Sequence, residues 1–335
     1  MEKKKIKINY VGFWRGFDKE NNFFSDILKE RYEVEVSEKP DFVFATVFGK
    51  PFDYTKYDCV RILYAGEPFS PDFNAFDYAI AFDRINFEDR YYRYPYALMD
   101  FEKARKVKGL TRQQAEEALA QKEYFANFIY SHHSAHGERE KMLEAMSAYK
   151  RVECIGSFMN NMEDGRTVNR FVDKIDFLKK CKFTITGESI GISGFNTEKI
   201  VNAFEGDTVP LYFGDPHICE EYNSKAFVNV NDFESIEKAV EKIIELDNDD
   251  EAYISMLMEP KYIRDTYVDD MYNGLKEFLF NIFDQEPKQA YRRCRYYVAK
   301  THCDRLAEYA RIRQSRWYKF MYGWLLPKVV KLLGR

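Results

Sequence analysis

Residues 182–216, KFTITGESIGISGFNTEKIVNAFEGDTVPLYFGDP, decide how the rest of the 335-residue chain is read. Phe183 and Ile185 alternate with Lys182, Thr184 and Thr186, the period of two of a strand. Gly187, Gly191 and Gly194 then interrupt regular structure. Asn196 or Thr197 can cap a helix that buries Ile200, Val201, Ala203 and Phe204. Gly206 and Asp207 end that helix, and residues 209–213 read as the next strand. Strand, glycine loop and helix N-terminus in succession suit an anion, because unpaired backbone N–H groups and the helix dipole point at it. Lys199 in the first turn can meet a phosphate, and Glu198 can accept from sugar hydroxyls. A capped helix with a solvated Glu–Lys pair fits the same pattern.

Working outward, short apolar strands alternate with helices, which predicts an α/β fold. Residues 5–13, 32–37, 41–47, 59–67 and 76–82 read as strands, the third apolar enough to be central in a parallel sheet. Phe23, Phe24, Ile27 and Leu28 mark the first helix by their spacing. Glu67 falls at the carboxyl end of the fourth strand, behind Ala65 and Gly66. Ligands of open α/β sheets bind there, so Glu67 is a candidate general base. A solvated loop glutamate is the alternative. Residues 102–123 read as a helical connection, 125–131 as the start of a second sheet, and 152–157, 169–179 and 226–246 as its further strands and helices. The expected division is 1–123, a first α/β domain; 124–287, a second; and 288–335, a tail.

KFTITGES, GFNTEK, VPLYFGDP and AFVNVNDF together resemble the donor-binding block of the α1,3-fucosyltransferases, glycosyltransferase family 10, in particular bacterial members that decorate lipopolysaccharide. RILYAGEPFSPDFNAFDYAIAFD resembles the family segment that bears the catalytic glutamate, and Glu67 falls on it. The resemblance implies a GT-B fold, two Rossmann-like α/β domains facing a central cleft. It implies GDP-fucose as donor, inversion at the anomeric carbon and no metal. It makes Glu67 the base and sets Arg139 and Lys199 on the diphosphate. Glu198 is placed on a fucose or ribose hydroxyl, with Glu188, Ser189, Phe195 and Asn196 in the donor pocket. Ser189 stands where the family commonly has Asn, and Phe195 where it commonly has Tyr; each loses a hydrogen-bonding group. By analogy Arg90, Arg93 and Tyr94 border the acceptor.

With 45% hydrophobic and 32% charged residues the chain is an ordinary soluble globular protein. The 17% aromatic content fits both stacking on sugars and a Phe/Tyr-rich core. Six cysteines without a CxxC pair read as reduced thiols in a cytoplasmic protein. MEKKKIKINYVGFW has no apolar stretch after its basic start, so neither a signal peptide nor a membrane span is expected. His132, His133 and His136 invite zinc, yet no carboxylate or cysteine completes a ligand spacing. Asp247-Asn248-Asp249 reads as a helix end rather than a metal motif, and no P-loop or GxGxxG is present. No nucleic-acid partner is expected.

Lys288–Arg335 carries 13 basic and 2 acidic residues, a balance of +11 against −15 for the remainder. Trp317, Phe320, Met321, Trp324 and Leu325 recur at helical spacing, flanked by Arg313, Arg316, Lys319, Lys328 and Lys331. Such a stripe suits an interfacial helix on an anionic membrane, or packing on the body or in a homodimer. The reading is a metal-free, inverting α1,3-fucosyltransferase on the inner face of a bacterial membrane. It would move fucose from GDP-fucose to a Lewis-type or N-acetyllactosamine glycan, as in O-antigen synthesis. The alternatives are a GT-B transferase of another nucleotide sugar and a silent glycan- or membrane-binding protein.

Overall fold

The β-branched and aromatic runs become strands of two all-parallel sheets in a computed structural model that describes residues 3–50, 52–168, 173–294 and 296–332. The chain divides into two compact units: residues 1–81, 85–93 and 275–335, and residues 82–84 and 94–274.

In the first unit β1 (Lys4–Val11), β2 (Tyr32–Val36), β3 (Phe42–Ala45), β4 (Val60–Tyr64), β5 (Tyr78–Ala81) and β6 (Tyr91–Arg93) lie in the order β2-β1-β3-β4-β5-β6. Every residue of β3, β4 and β5 is buried, which is why, Arg61 of β4 apart, these strands read as continuous apolar runs. Phe278, Leu279, Ile282 and Phe283 of the long helix Tyr267–Asp284 supply a covering layer, with Phe283 against Phe42 at 4.4 Å. Asp77, wholly buried before β5, accepts from the backbone of Arg61, Arg292 and Arg293 at 2.7 Å each, and pairs with the buried Arg293 guanidinium. That carboxylate sews the tail to the sheet. Helix Tyr297–Gln314 then packs Leu306 against the core and Tyr309 against Phe52.

The second unit orders β7 (Tyr124–Phe128), β8 (Val152–Cys154), β9 (Cys181–Ile185), β10 (Val209–Tyr212) and β11 (Val228–Asn229) as β11-β10-β9-β7-β8. The chain order therefore reverses between β7 and β9. The expected connection is instead two helices, Phe101–Lys106 and Arg112–Ala120, the second burying Ala115 and Ala118 in this unit's core.

Several expectations change. Cys294 and Cys303 are paired, with Cα atoms 6.9 Å apart, so the reading of all six cysteines as reduced thiols is corrected. A turn with Cys294 at φ 56° folds the chain back there, and a nine-residue spacing gives no motif to announce it. Arg90 is a structural residue: its guanidinium donates to the carbonyls of Asp77, Phe73 and Phe76 at 2.8–2.9 Å. Tyr94 is buried and donates to Leu98 O at 2.9 Å. Residues 169–172 of the expected helix lie outside the described residues, and Lys174–Lys179 is helical. In the tail, Lys319–Leu325 winds as a π-helix between the helices Arg316–Tyr318 and Leu326–Leu332. The wider turn changes the spacing beyond Lys319; Trp317, Phe320 and Trp324 are exposed, and Met321 and Leu325 are partly covered.

Candidate functional site

The reversal between β7 and β9 opens a crevice at the carboxyl ends of these strands, where ligands of open α/β sheets bind. Tyr130 closes its floor, donating to the carbonyls of Ile185 and Gly187 at 2.8 and 3.2 Å. A Cβ at Gly187 would meet the outer edge of the Phe213 ring at 2.1 Å, so any larger residue there would push that ring aside. The buried Arg139, second residue of helix Glu138–Ser147, lays its guanidinium over the Tyr130 ring at 4.1 Å. Its Nε donates to Gly187 O at 3.0 Å, and its Nη groups make no hydrogen bond among the described residues. The sequence reading missed Tyr130, although a hydroxyl-bearing aromatic just beyond a strand at the reversal point is a usable signal.

The loop after β9 returns as helix Glu198–Glu205, and it is tied down by an acid rather than by a conventional cap. The buried Glu188 carboxylate accepts from Thr197 N–H at 2.7 Å, from the Thr197 hydroxyl at 2.9 Å and from Lys199 Nζ at 3.0 Å. Lys199 also donates to the Thr197 hydroxyl at 2.7 Å. Thr197 occupies the N-cap position without capping the first turn, leaving that turn's N–H groups for other acceptors. Glu188 and Lys199 thus stand together. Ser189 anchors the loop through its carbonyl, which accepts from Ala135 N–H at 2.8 Å.

Phe195 and Asn196 lie deeper than the resemblance implies. Phe195 is 2% exposed with its edge on Phe82, the ring centroids 5.2 Å apart. Asn196 donates to Glu221 at 3.3 Å; Arg84 and Tyr267 hold the same carboxylate at 2.7 and 2.8 Å. Both residues fix the entry to the helix. Half-buried Lys174 joins the electrostatics of that helix: burial lowers its ammonium pKa, Glu198 opposes the fall and Lys199 adds to it. No motif marks Lys174 in the sequence.

Beyond β10 and β11 a pocket of about 290 Å³ is lined by Met142, Glu188, Phe213, Asn231 and Phe233 among others. His133 packs on Phe158 and faces Glu140 at 3.2 Å. No group of three or more potential metal ligands exists among the described residues. Asp247 pairs with Lys150 and Lys182, and Asp249 caps the next helix through Ala252 N–H. In the first unit Glu67 sits where the sequence places it, exposed just beyond β4.

Residues 8–99 match the α-(1,3)-fucosyltransferase FucT N-terminal domain family, and residues 119–268 match glycosyltransferase family 10 (fucosyltransferase), C-terminal. The α-(1,3)-fucosyltransferase FucT of Helicobacter pylori is 31% identical over 76% of this chain and 60% of its own length. A putative fucosyltransferase of Acanthamoeba polyphaga mimivirus is 26% identical over 70% of this chain and 39% of its own. The chain thus spans less than two thirds of these relatives. Among solved structures, an α1,3-fucosyltransferase with GDP-fucose superposes with TM-score 0.67 at 25% identity, covering 86% of this chain and 93% of that one. A second α1,3-fucosyltransferase structure gives 0.68 at 27%, covering 83% of this chain and 90% of that one. With two parallel α/β units of the GT-B kind and both family segments in order, the chain belongs to glycosyltransferase family 10, the fucosyltransferases.

Proposed function

We propose that the protein transfers L-fucose from GDP-fucose to a hydroxyl of an N-acetyllactosamine-type glycan, forming an α1,3 linkage with inversion and without a metal. The carrying observation is the pair of cations at the β7/β9 reversal, Arg139 over Tyr130 and Lys199 at an uncapped helix N-terminus. Charge builds on GDP as the glycosidic bond breaks, and preorganised cations and N–H groups in such a crevice stabilise it. Glu67 takes the acceptor proton as the new bond forms. Glu198 serves a sugar hydroxyl, and the pocket beyond β10 gives room for the nucleoside.

GDP release from GDP-fucose in the presence of N-acetyllactosamine, followed by linkage analysis, tests this reading. Turnover is expected to survive EDTA; loss on chelation with recovery on manganese would end the metal-free account. A panel of nucleotide sugars separates a transferase of another donor.

Lys199→Ala is expected to weaken GDP binding about ten- to hundredfold, since a charge-assisted contact carries roughly 1.5–3 kcal/mol. Calorimetric titration checks it, and an unchanged Kd in a folded variant would remove Lys199 from the donor site. Lys199→Arg keeps a charge beside Glu188 and controls for loss of that internal pair.

We further propose that the tail rests on an anionic membrane at its cytoplasmic face, as lipopolysaccharide-type acceptors would require. Trp317 is 64% exposed, with Phe320, Trp324 and Leu326 also exposed beside Arg316, Lys319 and Lys328. No helix among the described residues is long and apolar enough to cross a bilayer. Removing residues 316–335 leaves Gln314 bonded to Asp53. That truncation is expected to retain turnover on a soluble acceptor and to abolish co-sedimentation with phosphatidylglycerol vesicles. Equal pelleting of both forms, or a dimer lost on truncation, would favour packing of the tail instead.

A further inference from the structure

Two exposed aromatic side chains of the first unit, Trp14 and Phe48, meet at the carboxyl ends of β1 and β3, where its own strand order reverses. Two loops build it. Gly12, at φ 76°, lets the loop after β1 touch the loop after β3, since a Cβ there would meet Thr46 O at 2.4 Å. The chain then turns over residues 14–17, Phe17 N–H donating to Trp14 O at 3.2 Å, with Gly16 supplying the left-handed φ of 87°. Trp14 is thereby held against Phe13 and Phe17, ring centroids 5.7 and 5.1 Å away, and meets Phe48 of the second loop edge-on at 6.3 Å.

Core packing does not account for the two outer rings. Trp14 is 47% and Phe48 49% exposed, while Phe13 and Phe17 beneath them are partly buried. Phe13 stacks in turn on the buried Tyr64 at 6.4 Å, interplanar angle 16°. Tyr64 ends β4, three residues before Glu67. The rigid stack therefore runs from the strand that presents the base to a pair of exposed aromatic faces. Exposed aromatic patches of this kind mark binding surfaces. Their chemistry favours a pyranose, whose C–H face carries partial positive charge and lies on the negative face of an aromatic ring.

We propose that Trp14, flanked by Phe48, is the stacking platform for a pyranose ring of the acceptor glycan. It is a binding residue, taking no part in proton transfer. The assignment rests on the transferase reading and names the acceptor side of it. An indole offers a wide face indifferent to hydroxyl pattern, so the platform holds the sugar and leaves the choice of hydroxyl to polar groups around Glu67.

Trp14→Ala is expected to lower kcat/KM for N-acetyllactosamine ten- to hundredfold, almost wholly through KM. The KM for GDP-fucose and the slow hydrolysis of GDP-fucose in the absence of acceptor should stay within twofold. Trp14→Phe should recover most of the loss. A Trp317→Phe/Trp324→Phe double variant leaves Trp14 as the sole tryptophan, and its emission should change saturably with N-acetyllactosamine. An acceptor KM within twofold of the parent in Trp14→Ala, or an emission unmoved by the glycan, overturns the platform. Failure of the transferase reading shows separately, as no GDP release from GDP-fucose by the parent protein. The fluorescence titration needs no turnover and still decides the platform.

Discussion

Glu67→Gln is expected to bind GDP within a factor of ten of the parent protein while losing about 10²–10⁴-fold in kcat, the usual cost of removing a general base. Glu67 belongs to the first unit, and Arg139 and Lys199, the cations proposed to hold the donor, to the second, so the substitution should separate chemistry from donor binding. The amide is nearly isosteric and still accepts a hydrogen bond, yet it cannot take the acceptor proton. The exposed position beyond a fully buried strand predicts an unchanged thermal midpoint. Measuring kcat, GDP affinity and melting on one variant distinguishes a base from a structural glutamate, which would lower rate and stability together or neither. Near-normal transfer by a folded variant would falsify the role and move the search to Asp72 and Asp83.

The largest stability loss is expected at Asp77. Its two oxygens accept three backbone N–H groups and the side chain of Arg293, all in the interior of the first unit. Asp77→Ala removes these acceptors together and leaves the Arg293 guanidinium buried without its carboxylate. Breaking a buried pair from one side typically costs about 3–5 kcal/mol. At about 2–4 °C per kcal/mol for domains of this size, the unit should melt roughly 6–20 °C lower. Burial already lowers the neighbouring Arg61 to about 10, with Arg293 adding to the fall and Asp77 opposing it. Loss of Asp77 removes the opposing charge between two confined guanidinium groups. A melting point within 2 °C of the parent would show that water or Asp58, 3.7 Å from Arg293, takes over the charge.

Much of this architecture was legible because parallel strands buried on both faces are apolar nearly throughout, as in FVFA and YAIA, with Arg61 of VRILY the buried exception. The glycine loop and helix at 187–205 were legible for a related reason, since Phe204 and its neighbours repeat at helical spacing. Other features depend on partners distant in sequence. Arg90 looks like a loop arginine until three carbonyls converge on it. Asn196 looks like a cap until Glu221 claims its amide. The three-residue strand β6 is too short for any period, and nothing in the sequence shows that Glu188, besides lining the pocket, holds Thr197 and Lys199. The tail was misjudged in phase, because seven residues of π-helix shift every later side chain.

The first unit is assembled from both ends of the chain, while residues 94–274 of the second run without a break. A ribosome therefore completes the six parallel strands well before it makes the helix that covers them and the arginine that neutralises Asp77. At about 5–20 residues per second, the stretch between Arg93 and Leu275 occupies roughly ten to forty seconds. Throughout that interval Phe42, Phe44 and Tyr78 lack the side chains of Phe278 and Phe283 against which they finish. The nascent sheet thus waits longest for its covering layer, whereas residues 94–274 of the second unit are all made before that layer arrives.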